Sequence, residues 1–201
     1  MKYNELWNWG TTGSWKKDDG TDTQYKYEVI NSVLYIAFQG SDSKLDWWQN
    51  FSFWKKPYKR MKKIWFAHAG FLKKWKSVEK AIANAIIDEA FNRVVIFGFS
   101  QGAGIATLCH EWIWFTYPAL RDKLSTIVCG SPRVIGTFSK ISERFDNLNR
   151  FSIVKDIVTK VPFFWMFYKH VGSNNRFKGN YPFYCIVKNH MEYYVKLLKY
   201  E

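Results

Sequence analysis

A serine between two glycines carries the first chemical signal. Gly98-Phe99-Ser100-Gln101-Gly102 has the spacing G-x-S-x-G, lying after the short apolar run Arg93 to Phe97 and before the helix-spaced run Gly102 to Phe115. A strand that turns sharply into a helix forces the residue at the turn into a strained backbone conformation. Glycines two positions to either side let neighbouring segments approach that turn. The Ser100 hydroxyl then projects from the sheet, and the amide of Gln101 at the helix N-terminus points to where an oxyanion would form. The chemistry implied is nucleophilic attack on a carbonyl carbon; the structural alternative is a glycine-flanked packing contact.

A serine hydroxyl is a poor nucleophile until an imidazole takes its proton and a carboxylate orients that imidazole. The chain holds four histidines. His110 lies ten residues along the helix that starts at Ser100, about 15 Å away at 1.5 Å per residue, and is out of reach. His68 precedes the serine, against the chain order serine, acid, histidine that this turn implies. His170 and His190 both follow it, and residue patterns alone leave the two nearly balanced. For the acid, Asp156 follows the apolar run Phe151 to Val154, so its carboxylate belongs at a strand end on the sheet edge of the serine turn. Glu143 and Asp146 fall in a polar stretch expected to be solvated, and Asp122 precedes a strand. A second oxyanion donor belongs on the loop after Val33 to Phe38, which selects Ser41.

Buried strands alternating with helices would position these groups. Tyr25 to Ile30 and Val33 to Phe38, joined at Asn31-Ser32, predict a hairpin. Phe71, Leu72, Trp75, Val78, Ile82 and Ile86 recur at helical spacing, while Ser125 to Cys129 and Arg150 to Val154 predict further buried strands. A polar helix is expected over Thr137 to Leu148 and another helix over about Asn189 to Tyr200. The stretch to Gln24, with Gly10, Gly13 and Gly20, reads as a loosely folded lead-in. The pattern predicts an α/β protein with a mostly parallel central sheet flanked by helices, and the length of 201 residues fits a single domain.

Several segments in order resemble the class 3 lipases of the fungal type, with an α/β-hydrolase fold, from about Tyr25 to Leu198. Phe38-Gln39-Gly40-Ser41 resembles that family's oxyanion loop, followed by Asp46-Trp47 and Asn50-Phe51. Ala67-His68-Ala69-Gly70-Phe71 and Gly130-Ser131-Pro132-Arg133-Val134 are similar to its strand-end segments. Arg150-Phe151 through Asp156-Ile157-Val158, Pro162 and Tyr168-Lys169-His170-Val171-Gly172 resemble its acid-bearing region. His190 followed by Tyr193 resembles its base-bearing helix. The resemblance implies His190 rather than His170 as base, a serine hydrolase needing neither cofactor nor metal, and lipid or small-ester substrates. Gln39, Phe99 and Gln101 depart from the usual Arg, His and Leu of the family.

The resemblance also implies a lid directly after the oxyanion loop. Ser43-Lys44-Leu45-Asp46 reads as a capping box opening a short helix, on which Leu45, Trp48 and Phe51, flanked by Trp47 and Trp54, form an apolar stripe. Between Trp47 and Ser77 there is no acidic residue but nine Lys and Arg, within a formal net charge of +13. Such a surface suits an anionic lipid interface. Phe163, Phe164, Trp165 and Phe167 are the candidates for an acyl pocket or for interior packing.

Aromatic residues make up 20% of the chain, which excludes a disordered polycation. Basic charge alone fits nucleic acid as well as membrane, but no nucleic-acid motif is present, so a polyanion-binding module is the alternative to a lipase, phospholipase A or soluble carboxylesterase. Neither a signal peptide nor a transmembrane run is visible, and three isolated cysteines suggest a reducing compartment. A cytoplasmic or peripheral membrane location is expected.

Overall fold

The computed structural model describes residues 1–40, 54–60, 63–182, 185–193 and 196. Its centre is a seven-stranded sheet: β1 (Lys16–Asp18), β2 (Thr23–Ile30), β3 (Val33–Phe38), β6 (Arg93–Phe99), β7 (Leu124–Cys129), β9 (Leu148–Ile153) and β11 (Ser173–Phe177), in that spatial order. From β3 onward every pairing is parallel, whereas β1, β2 and β3 run antiparallel. The β2–β3 hairpin turns at Asn31 and Ser32, both at positive φ (50° and 60°), the geometry of a two-residue turn whose twist matches its strands.

A second sheet of four antiparallel strands has the order β10 (Tyr168–Lys169), β8 (Ile135–Gly136), β5 (Lys63–His68), β4 (Lys55–Arg60). The central sheet is buried on both faces. Leu34, Ile36 and Phe38 of β3 and Val94 and Ile96 of β6 point into one core, with α2 (Ala69–Asp88) and α3 (Gln101–Thr116) above them. Tyr35, Ala37, Val95 and Phe97 alternate into the other core, covered by α1 (Tyr3–Thr11), with Tyr193 in the same layer. This alternation is why the strands read as continuous apolar runs.

Two expectations are corrected. The N-terminal stretch is not a loose lead-in: α1 buries Leu6 and Trp7 on the sheet, and β1 extends the sheet edge. Fully burying two side chains of this size contributes roughly 1.5 to 3 kcal/mol each. Gly10, which reads as a turn signal, is there for close packing, since an added Cβ would lie 2.2 Å from the Phe97 ring. Likewise, Thr137 to Leu148 holds no α-helix but β8's exit, a 3-10 turn at Ser142–Phe145 and the start of β9. Its apparent polarity hides a buried pair: Arg144, 2% exposed, binds Glu111 of α3, and its carbonyl meets His110 Nε2 at 2.8 Å. Breaking such a pair by removing one partner strands the other charge and costs about 3 to 5 kcal/mol.

The last described helix, α4 (Ile186–Met191), begins earlier than its sequence pattern suggests. Among the described residues no helix is long and apolar enough to cross a membrane.

Candidate active site

Four parallel strands end at one edge of the central sheet, and register aligns their ends: Phe38 pairs Gly98, Phe99 pairs Cys129 and Cys129 pairs Phe151. Chain leaving those ends supplies Gly40, Ser100, Gly130 and Asp156 to one region, beyond the carboxyl ends of the strands where open α/β sheets bind ligands.

Ser100 links β6 to α3 with φ 57° and ψ −122°, a conformation that costs a non-glycine residue on the order of 1 to 3 kcal/mol. The surroundings hold it there. Its N–H donates to the Cys129 carbonyl at 3.0 Å, and its carbonyl accepts from Ala103 at 3.1 Å. Gly102 is the close-approach position: a Cβ there would stand 2.0 Å from the Phe38 carbonyl oxygen and 2.7 Å from that of Gln39. Only glycine lets the loop after β3 lie across the first turn of α3. Gly40, on that loop, is in contact with the serine, since its added Cβ would be 3.4 Å from Ser100 Cβ. Gln101 opens α3, so its amide is one of the four N–H groups at a helix start that lack an intrahelical acceptor.

Asp156 follows β9 and is 0% exposed. Three donors converge on its two oxygens. Val158 N–H reaches Oδ1 at 2.9 Å, while His190 Nδ1 and the Tyr193 hydroxyl reach Oδ2 at 2.9 and 2.8 Å. A carboxylate accepts at both oxygens, whereas an amide accepts at only one. Tyr193 is itself placed by the Ile153 N–H at 3.0 Å, and burial followed by the charge of Asp156 pushes its hydroxyl well above the usual tyrosine range, keeping it a donor.

The imidazole of His190 is clamped on three sides. Phe99 stacks on it, 4.9 Å between centroids and 22° between planes. Gly130, at φ 60°, leaves the space it fills: a Cβ there would be 2.8 Å from His190 Cε1. Asp156 holds Nδ1, so the ring's second nitrogen, Nε2, faces away from the acid, buried and with no hydrogen-bond partner among the described residues. Phe99, where the resembled family carries His, therefore contributes a stacking face rather than a further titratable group.

The other three histidines do structural work. His68 caps α2, its Nδ1 accepting from Gly70 N–H at 3.2 Å. His110 bridges Thr126 and Arg144, and His170 Nε2 meets the Thr159 carbonyl at 2.7 Å. Burial lowers His68 and His110 from the ordinary imidazole value to about 4, and burial followed by the charge of Arg150 lowers His170 to about 3. Because these values lie below the unfolded one, the unfolded chain takes up protons that the folded chain refuses. Stability is complete above about pH 6.5 and is lost as pH falls toward 4, by about 3 kcal/mol for each fully buried histidine. Urea midpoints at about pH 7.5 and about pH 4.5 test this; equal midpoints contradict it.

Ser41 and the lid residues Leu45, Trp47, Trp48 and Phe51 lie outside the described residues. Trp54 is described and exposed, its carbonyl accepting from Ala69 N–H at 2.8 Å. Part of the basic run is engaged locally, Lys74 with the Thr21 carbonyl and Lys76 with Glu79. Phe163, Phe164, Trp165 and Phe167 do not pack inside. Phe164, Trp165 and Phe167 are exposed on a 3-10 turn, because Arg133 holds the carbonyls of Lys160 and Pro162 and the aromatic segment projects beyond that anchor. Sequence reasoning gave Tyr193 no role of its own; its signal was position i+3 from His190, which places both on one helical face.

Comparison with known proteins gives a consistent picture. The family described as Lipase (class 3) matches residues 35–166. Among solved structures, the triacylglyceride lipase of Rhizomucor miehei superposes with TM-score 0.69 at 21% identity, covering 81% of this chain and 64% of that one. Lipase II from Rhizopus niveus gives 0.71 at 22% identity, with 81% and 64% covered. The mono- and diacylglycerol lipase of Aspergillus oryzae gives 0.67 at 25%, with 80% and 61% covered. The fold is that of the α/β-hydrolases, and the chain spans less than two thirds of the length of each of these relatives. No curated protein sequence matches it.

Proposed function

The chain belongs to the class 3 lipase family, and on that premise we propose that it is a serine hydrolase of lipid carboxylic esters, of the lipase or phospholipase A type. The observation that carries the reading is the convergence, at one sheet edge, of a strained turn serine with a histidine whose Nδ1 is held by a buried aspartate.

In this reading Ser100 Oγ attacks the ester carbonyl while His190 Nε2 takes the hydroxyl proton. Asp156 holds the ring in the tautomer whose Nε2 is free to accept and stabilises the imidazolium that forms. The oxyanion is met by the amide of Gln101 and, across the loop that Gly40 brings to the serine, by Ser41. Each such donor contributes about 3 to 4 kcal/mol to the transition state. His190 returns the proton to the departing alcohol, leaving an acyl-Ser100 ester. Water, deprotonated by His190, then releases the fatty acid and restores the serine.

Lipid substrates are supported by the family and by the lipases of the same fold; the net charge of +13 favours those presented on anionic surfaces. The reading predicts hydrolysis of p-nitrophenyl esters in the presence of a chelator and with no added cofactor, and faster release of fatty acid from phospholipid vesicles that include anionic lipid than from zwitterionic ones. Absence of ester hydrolysis across short and long acyl chains would overturn it. Equal rates on the two vesicle types would remove the charge argument, and no release from either, with p-nitrophenyl esters still hydrolysed, would leave a carboxylesterase acting on dissolved substrate.

A further inference from the structure

Four large aromatic side chains outside the site lie in the open. Phe164, Trp165 and Phe167 are 70%, 59% and 55% exposed, and Phe138, on the turn after β8, is 78% exposed. They make one surface. The Phe138 and Phe167 rings are 5.8 Å apart, Phe164 and Trp165 meet edge to face at 5.2 Å, and Phe163 stacks flat on Trp165 at 4.4 Å. Backbone ties the two loops together, with Thr137 N–H donating to the Phe167 carbonyl at 2.9 Å. Single exposed hydrophobics are ordinary on a protein surface, whereas a contiguous aromatic cluster marks an interaction site.

Phe167 sharpens the point. It is held at φ 58° and ψ 44°, the left-handed region that disfavours a bulky side chain, at a position where burial does not offset the strain.

Charge selects the occupant. The segments that build the patch, residues 54–58, 135–140 and 157–169, contain five lysines and no Asp or Glu. Lys55 Nζ lies 5.4 Å from the Phe167 ring centroid and donates to the Met166 carbonyl at 2.7 Å, and Lys169 donates to the Ser139 carbonyl at 2.7 Å. Lys56 and Lys140 are exposed. A second copy of the chain would set these ammonium groups against each other. A bilayer carrying anionic headgroups satisfies both parts, taking Trp and Phe rings at the interface and lysines at the level of the phosphates.

We propose that this aromatic and lysine surface, beside the small sheet, docks the protein on an anionic phospholipid bilayer. The proposal deepens the lipid-ester reading, on which it rests for its purpose, by placing lipid contact at a defined address. The docking segment runs directly on from the acid-bearing turn. Val158, whose N–H binds Asp156, is five residues before Phe163. The patch and the acid-bearing turn are thus parts of one short stretch of chain.

The test is flotation with phosphatidylcholine vesicles, with and without phosphatidylserine, in a Ser100→Ala background, so that binding is read apart from hydrolysis. The combined variant Phe164→Ser, Trp165→Ser and Phe167→Asn is expected to weaken binding at least about tenfold. The pair Lys56→Gln and Lys140→Gln is expected to weaken binding to anionic vesicles by roughly 25-fold, with little change on neutral ones. All five positions are exposed, and circular dichroism with sedimentation checks that fold and oligomeric state persist. Unchanged vesicle binding in the aromatic variant overturns the proposal. A shift from dimer to monomer with unchanged vesicle binding also overturns it and assigns the patch to self-association. Loss of docking with intact hydrolysis of a soluble ester in the Ser100 parent overturns neither reading, whereas loss of hydrolysis with intact docking in the parent overturns only the hydrolase reading.

Discussion

Replacing Ser100 by alanine is expected to lower kcat on a soluble p-nitrophenyl ester by about 10⁵ to 10⁶-fold while leaving the protein folded. The activity loss follows from removing the hydroxyl that the strained turn between β6 and α3 presents, leaving binding and the oxyanion donors to a residual rate. The fold persists because the Ser100 side chain makes no capping bond to α3; its backbone is held by Cys129 and Ala103 instead. Ser100→Gly separates function from stability further. It removes the same nucleophile but relieves a positive φ, so it is expected to be as inactive as the alanine variant and more stable by about 1 kcal/mol, read from the urea midpoint. Activity within tenfold of the parent in either variant would place the chemistry elsewhere.

The second large effect is expected at Asp156. Asp156→Asn keeps size and shape but replaces one acceptor by a donor. With the amide oxygen toward Val158 N–H, the NH₂ group faces His190 Nδ1 and the Tyr193 hydroxyl, two donors in the parent protein. The imidazole then settles with Nδ1 as acceptor and Nε2 protonated, and cannot take the serine proton. A fall of about 10⁴-fold in kcat with little change in KM is expected on a monomeric ester. A fall below tenfold would mean that Asp156 only braces its turn. Since Tyr193 is fixed by Ile153 N–H as well as by the acid, the helix carrying His190 stays docked, so the loss is one of tautomer rather than of fold.

Much of this site is legible in the sequence because its parts sit at strand ends, and buried parallel strands announce themselves as apolar runs. The apolar run before Ser100 and the one that ends at Val154 mark strand ends, and β6 and β9 do end just before Ser100 and Asp156. Which histidine meets Asp156 was not legible from residue patterns alone, because whether His170 or His190 reaches the acid depends on how the chain after β11 returns to the sheet edge. The resemblance favoured His190, and the structure brings it to Asp156 while tying His170 to Thr159. Glycines misled where they serve packing. Gly10 suggested a loop because a turn glycine and a glycine pressed on Phe97 look alike in one dimension. Charges misled where they are buried in pairs, since Arg144 has no local signal for its contact with Glu111, 33 residues earlier. The aromatic run after Pro162 suggests a pocket or a core, and the exposure of Phe164, Trp165 and Phe167 removes the second, because hydrophobicity records a preference for leaving water and does not say for what.

The central claim is that Ser100 is an activated nucleophile, and covalent labelling measures that property directly. A fluorophosphonate reacts with a serine only where its proton is removed and the resulting oxyanion is held. Incubation of the whole protein, followed by proteolysis and mass spectrometry, is predicted to give one adduct per chain on the peptide bearing Gly98-Phe99-Ser100-Gln101-Gly102. The adduct is predicted to be absent in Ser100→Ala and strongly slowed in Asp156→Asn. An unmodified Ser100 in folded protein, or an adduct on a different serine, would contradict the account.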